Sequence, residues 1–269
     1  MESRYGVGLW AFGTGADRYN PSGYHGSLTT QEKIEMASQV ENLRGVELKY
    51  PTDFEGFGVE LVKEILDAHG LQLSAINVNL SGDARWQRGS VTNTNEELRQ
   101  QAVERSQKAV DAADAIGADS IVLWLGQDGH DYLFNDYQKA WQLLLNGLVE
   151  VASHNRKVTV YLEYKHKEPR THLMISNVGK AILAAKATAL ANVGVIVDVG
   201  HGFMVDENVA ESIALVHMNK TPLYMHFNDC YGYWDDDMVP GAVNIWKFLE
   251  LFYQLKRIDY QGWHDLDIY

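Results

Sequence analysis

Cysteine is almost absent: Cys230 stands alone among 269 residues. That excludes an intrachain disulfide and a cysteine-based zinc centre. Basic charge is in deficit, with 23 Lys and Arg against 36 Asp and Glu and a net charge of −13. A chain so acidic lacks the clustered cations that a nucleic-acid backbone requires, but it remains open to divalent cations. No apolar run approaches the roughly 18 residues of a membrane span. The opening "MESRYGVGLW" has no basic segment ahead of an apolar one, so no signal peptide is read there. Low-complexity linkers and sharp shifts of composition are missing too. The expectation is a soluble, cytoplasmic protein with neither a nucleic-acid nor a membrane partner, folded as one domain over residues 1–269. Its 46% hydrophobic and 22% charged residues suit a globular core.

What is present is a repeated pattern of short apolar run, polar loop and longer helical stretch. The strand-like runs are 5–10, 45–48, 73–78, 120–124, 158–163, 194–198, 223–227 and 263–268, each apolar or rich in β-branched and aromatic residues, as buried parallel strands are. Between them lie amphipathic stretches. One is capped at Thr29 or Thr30. A long one is capped at Thr94 or Asn95 and stopped near Gly117. The others span 58–69, 136–154, 176–190, 208–218 and 242–255. Eight strands alternating with helices predict a (β/α)8 barrel. The chain stops at Tyr269, just after the eighth strand, so a closing C-terminal helix is expected to be missing.

A barrel of this kind carries its active site at the C-terminal strand ends. Those ends hold Trp10, Asn77, Asn79, Trp124, Glu163 with Lys165, Asp198 with His201, His226 and Asp267. A single acid at a strand end is usually a helix cap or a loop hydrogen bond, and a single His is usually a hydrogen-bonded core residue. Glu, Asp, His and Asp on four consecutive strands are harder to explain that way. Hard oxygen ligands with imidazole suit Mn²⁺, Mg²⁺ or Co²⁺. In "VIVDVGH", Gly200 is expected to let the backbone turn sharply, placing Asp198 between two metals and His201 on one. In "YLEYK", Glu163 and Lys165 are two residues apart and share a side of an extended backbone. The run Asp235-Asp236-Asp237 raises the same question, because three adjacent carboxylates repel one another unless a cation offsets them. On an extended loop Asp235 and Asp237 would converge and Asp236 would face away.

These motifs resemble the xylose isomerases and relatives such as L-rhamnose isomerase, a family of TIM barrels. Glu163-Tyr-Lys165-His-Lys-Glu168-Pro169-Arg170 is similar to the family's Glu-x-Lys-x-x-Glu-Pro-Arg. Asp198-Val-Gly-His201 stands where Glu-Val-Gly-His is usual, and Asp235-Asp236-Asp237-Met238 ahead of Gly241 matches its Asp-x-Asp loop. "VLWLGQDG" looks like its Trp-Gly-Gly-Arg-Glu-Gly segment. The resemblance implies aldose–ketose isomerisation with two divalent cations per subunit. Glu163, Asp198, His226 and Asp267 would hold one, and Asp198, His201, Asp235 and Asp237 the other. Catalysis would fall to Lys165, Asp237, Glu163 and His201. Substrate contacts would come from Trp10, Asn79, Trp124, Lys165 and His201, with Trp10 and Trp124 as apolar walls. Relatives form dimers and tetramers, so a homo-oligomer is expected.

Two departures stand out. His226 replaces the Asp of xylose isomerases and matches the rhamnose-isomerase branch. The ring-opening His after the third strand is missing, and Asp83 stands near its place. The expected reaction is a metal-assisted 1,2-hydride shift on a free pentose or deoxyhexose, with Lys165 polarising the carbonyl and Asp237 or a metal-bound hydroxide taking the hydroxyl proton. The alternatives are ketose 3-epimerisation by proton transfer and a non-catalytic sugar-binding barrel. Specificity is expected from Phe12, Asn79, Arg85, Trp86 and His130.

Overall fold

The computed structural model describes residues 3–17, 19–133 and 135–269. Eight parallel strands close into a barrel. They are β1 (Arg4–Gly8), β2 (Leu43–Tyr50), β3 (Gln72–Val78), β4 (Ser120–Trp124), β5 (Thr159–Glu163), β6 (Val193–Asp198), β7 (Leu223–Phe227) and β8 (Trp263–Leu266). Each pairs with its neighbours in chain order, and β8 returns to β1 with Arg4 opposite Trp263. The helices are α1 (Thr30–Ser38), α2 (Gly58–Ala68), α3 (Glu96–Ile116), α4 (Tyr137–His154), α5 (Val178–Ala187), α6 (Val199–Met204), α7 (Val209–Met218) and α8 (Ile245–Arg257). Two of them, α6 and α7, occupy the connection from β6 to β7, and among the described residues none follows β8.

Local chemistry explains the boundaries. Thr29 caps α1 in a reciprocal box with Glu32. Asn95 caps α3, whose end is set by Gly117 at φ 94°. The six residues of β6, all buried, are Val-Gly-Val-Ile-Val-Asp, apolar until the last because both faces of the sheet are covered. Three departures from the sequence reading bear on the site. First, β1 stops at Gly8, and Leu9–Phe12 form a 3-10 turn that swings Trp10 across the strand end. A Cβ on Gly8 would overlap the Trp10 indole. Second, α8 starts at Ile245 rather than at residue 242, because the preceding loop is tied to buried Asp229, which accepts from the backbone N–H groups of Val243 and Asn244. Third, the sharp turn expected at Gly200 is the first turn of α6, with Asp198 as its N-cap accepting from the His201 N–H at 2.8 Å. Gly200 serves close approach instead: its N–H donates to Asn228 Oδ1 at 2.7 Å, and a Cβ there would lie 2.6 Å from that oxygen.

Candidate metal centre and active site

The strand register delivers the acids together. Trp124 pairs with Glu163 across β4 and β5, and Asp198 pairs with His226 across β6 and β7. Above them lies a cavity of about 390 Å³, lined on one side by Glu163, Lys165, His201, Asp235, Asp237 and Asp267. Trp10, Asn77, Asn79 and Trp124 line the remainder, with Lys49, Ser81, Gly82 and Tyr269. Most residues expected at the strand ends line the cavity, Asp198 and His226 are buried and do not, and Lys49, Ser81, Gly82 and Tyr269 are additions.

Two groups of side chains have one ligand atom each within 4.8 Å of one another: Glu163, Asp198, His226 and Asp267, and then Asp198, His201 and Asp235. Asp198 belongs to both. His226 Nδ1 lies 3.2 Å from Glu163 Oε1 and 3.4 Å from Asp267 Oδ2. On its far side His226 Nε2 meets Glu47 Oε2 at 2.9 Å. Trp10 is more than an apolar wall, because its indole N–H donates to Asp267 Oδ1 at 2.7 Å. In the second group His201 Nε2 lies 3.0 Å from Asp235 Oδ2, and the same oxygen accepts from Lys165 at 2.9 Å. Lys165 also reaches Glu168 Oε1 at 2.6 Å and stands 5.2 Å above the Trp124 ring. Glu168 therefore sits in the site as Lys165's partner.

The aspartate run divides as expected in which residues face the cavity, but for a different cause, and only Asp235 joins a ligand group. Asp235 and Asp237 line the cavity, while exposed Asp236 turns away and accepts from the Tyr231 N–H at 2.9 Å. The loop is not extended there: Asp237 has φ 47°, in the left-handed region that non-glycine residues rarely occupy. Asp237 lies beside the second group without belonging to its tight set; its nearest side-chain partner is Asn228 Nδ2 at 3.4 Å.

The charges show what this assembly lacks. Burial raises Asp237 to about 9, with Asp235, Asp267 and Asp198 pushing the same way. Burial likewise raises Asp198 to about 7, against the pull of His201. His201 is disfavoured as a cation by burial, yet Asp198 and Asp235 hold it at about 10. Burial also opposes ionised Asp235, but His201 and Lys165 keep it below the ordinary carboxylate range. Two buried atoms, His201 Nδ1 and Asp235 Oδ1, have no hydrogen-bond partner. Crowded carboxylates that retain protons, imidazoles that take them up and two buried atoms without a partner on residues of the second group fit a divalent cation.

Several expected specificity residues lie elsewhere. Trp86 is fully buried, and Arg85 forms an ion pair with Asp83 at 2.8 Å. Asp83 caps a 3-10 turn and does not line the cavity. Phe12 packs on the core, and His130 stacks on His172 in a separate surface cleft. Of that set only Asn79 lines the cavity. Sequence reasoning also missed Glu47, which is buried in the middle of β2 and carries no strand-end signal.

The structure defines a (β/α)8 barrel whose C-terminal mouth carries carboxylates and imidazoles that could hold a metal ion. Residues 34–269 match the family model for the xylose isomerase-like TIM barrel, and the chain belongs to that family. A probable sugar isomerase of Rhizobium meliloti is 26% identical over 265 residues, covering 93% of this chain and 61% of its own. A xylose isomerase of Rhizobium etli is 27% identical over 195 residues, covering 69% and 44%. The chain thus spans less than two thirds of the length of either relative. Among solved structures, a D-psicose 3-epimerase from Clostridium cellulolyticum H10 superposes with a TM-score of 0.76 at 17% identity over 99% of this chain and 85% of that one, which is a likeness of fold. Among the described residues no helix is long and apolar enough to cross a membrane.

Proposed function

We propose that the protein is a divalent-metal-dependent sugar isomerase that interconverts a free aldose and its ketose by a 1,2-hydride shift. The observation that carries this reading is Lys165, held between Asp235 and Glu168 on the wall of a cavity that borders two ligand groups sharing the buried Asp198. Glu163, Asp198, His226 and Asp267 would hold one cation, and Asp198, His201 and Asp235 a second, with Asp237 beside it. Bound there, such cations supply Lewis-acid polarisation of neighbouring sugar oxygens.

The chain's own groups do the rest. Burial opposes the Lys165 ammonium, but Asp235 and Glu168 outweigh it and raise its pKa, so Lys165 stays a cation and donates to the carbonyl oxygen at C1. The hydrogen on C2 moves with its electron pair to C1. The hydroxyl on C2 loses its proton and becomes the ketose carbonyl, while the C1 oxygen takes up a proton. Asp237 lines the cavity beside the second group; its carboxyl holds a proton in the metal-free protein, and loss of that proton on cation binding would leave Asp237 free to accept the one from the hydroxyl. Trp10 and Trp124 cover the carbon chain and exclude water. Of the basic side chains on the cavity wall, Lys165 and His201 are already paired with Glu168 and Asp235, which favours a free sugar over a phosphorylated one.

The test is a panel of free aldopentoses, branched pentoses and deoxyhexoses, assayed after EDTA treatment and after addition of Mn²⁺, Co²⁺ or Mg²⁺. Turnover is expected only with metal, and Lys165→Met is expected to lower kcat by about 100-fold, the scale of one lost electrostatic stabiliser. Undiminished turnover by Lys165→Met would overturn the mechanism.

A further inference from the structure

Glu47 is wholly buried at 0% exposure, yet it lies outside both ligand groups and does not line the cavity. A carboxylate in such a place is costly unless its oxygens are bonded. Both are: Oε1 accepts from Asn77 Nδ2 at 3.1 Å, and Oε2 meets His226 Nε2 at 2.9 Å. His226 is gripped from a second direction as well. The Tyr224 ring packs edge-on against it at 5.8 Å and 82°, and the Tyr224 hydroxyl is itself fixed by donation to Asp265 at 2.6 Å. The imidazole plane is therefore set by Tyr224, and its rotation in that plane by Glu47.

We infer that Glu47 is a positioning residue that selects the tautomer of His226. With Oε1 accepting from Asn77, Glu47 Oε2 is placed to accept as well, so the nitrogen facing it carries the hydrogen. In the neutral ring the other nitrogen then bears the lone pair. That nitrogen is Nδ1, which faces Glu163 Oε1 at 3.2 Å and Asp267 Oδ2 at 3.4 Å. Glu47 thus converts His226 from a side chain with two equivalent options into one that presents its lone pair to the first ligand group. A carboxylate behind a ligating His also raises the basicity of the ring. This inference rests on the first group being a cation site, as proposed above, but not on the sugar reaction.

The isosteric variant Glu47→Gln separates tautomer control from space filling. A glutamine amide can donate to Nε2 and so permits the Nδ1–H tautomer, which points a hydrogen at the cation site. Mn²⁺ affinity measured by calorimetry is expected to fall 10- to 100-fold in Glu47→Gln. Glu47→Asp keeps the charge and is expected to recover part of the loss. Nitrogen-15 NMR of His226 in the Mg²⁺-loaded protein is expected to show Nε2–H in the wild type. Unchanged Mn²⁺ affinity in a folded Glu47→Gln variant would overturn the inference. An Nδ1–H tautomer in the loaded wild type would do the same, even if Glu47→Gln did not fold. Neither readout requires turnover, so an inactive protein that meets both expectations would contradict the isomerase reading and leave the role of Glu47 standing.

Discussion

At the scale of single residues, the three adjacent aspartates have different surroundings and should respond differently to the same change. Asp235 shares one oxygen with Lys165 and His201, Asp237 faces the cavity from a left-handed backbone, and Asp236 bonds only a loop N–H. Asp235→Asn and Asp237→Asn are expected to weaken binding at the second ligand group and to lower activity at least about tenfold, as loss of one ligand or its support does. Asp236→Asn is expected to change either by less than about twofold, since a lone exposed loop contact contributes little. Metal titration and initial rates check all three. The period of an extended backbone suggested this division, although the loop reaches it through a positive φ that no local pattern announces. Glu47 shows the limit from the other side. It lies between Val46 and Leu48, both buried, in a strand whose ends drew attention because barrel chemistry concentrates there. Its signal was a charged residue inside a strand buried on both faces, which demands a partner even when the sequence cannot say which one.

At the scale of elements, the site depends on how closely α6 approaches the β7–α8 loop. Gly200 has Asn228 Oδ1 and Asp235 Oδ1 at 2.6 and 3.3 Å from where a Cβ would be. Gly200→Ala is expected to displace Asn228 or Asp235 rather than to break the helix, since alanine favours helices. The outcome expected is weaker metal binding and lower activity with the circular-dichroism spectrum retained; unchanged metal affinity would show that the loop yields freely. The barrel itself was legible, because strands buried on both sides read as short apolar runs and helices carry caps such as Thr29 and Asn95. The six-residue α6 was not, because "VGHGFM" holds two glycines and no amphipathic period, and its helical turn is fixed by Asp198 and by packing in the barrel mouth. Loop placement was the least legible. Trp86 and Arg85 lie in a polar segment that reads as a cavity rim, but burial of the indole and the Arg85–Asp83 pair direct them elsewhere.

At the scale of the whole molecule, a chain with net charge −13 concentrates carboxylates where burial makes them hardest to ionise. The consequence for stability has a definite sign. His201 is held at about 10 against a usual 6.5, so its ion pairing contributes fully below about pH 6.5 and is lost as the pH rises to about 10. Asp198 and Asp237 are raised to about 7 and about 9 from a usual 3.8, so their ionisation in the fold costs stability as the pH rises above about 4. All three act in one direction between pH 5 and 9. The metal-free protein is expected to melt at progressively lower temperature across that range, and Mn²⁺ to raise Tm most at the alkaline end, where protons no longer compete for the ligands. Melting curves with EDTA and with Mn²⁺ at three pH values check this, and a Tm gain independent of pH would count against the assigned ligand groups. The most direct test of the proposed chemistry is the fate of one hydrogen. An aldose from the active panel, labelled with deuterium at C2, is converted in ordinary water by the Mn²⁺-loaded protein. The expected product is a ketose that carries the deuterium at C1. Loss of the label to solvent, or exchange confined to C3 of a ketose, would contradict the hydride shift and point to proton transfer.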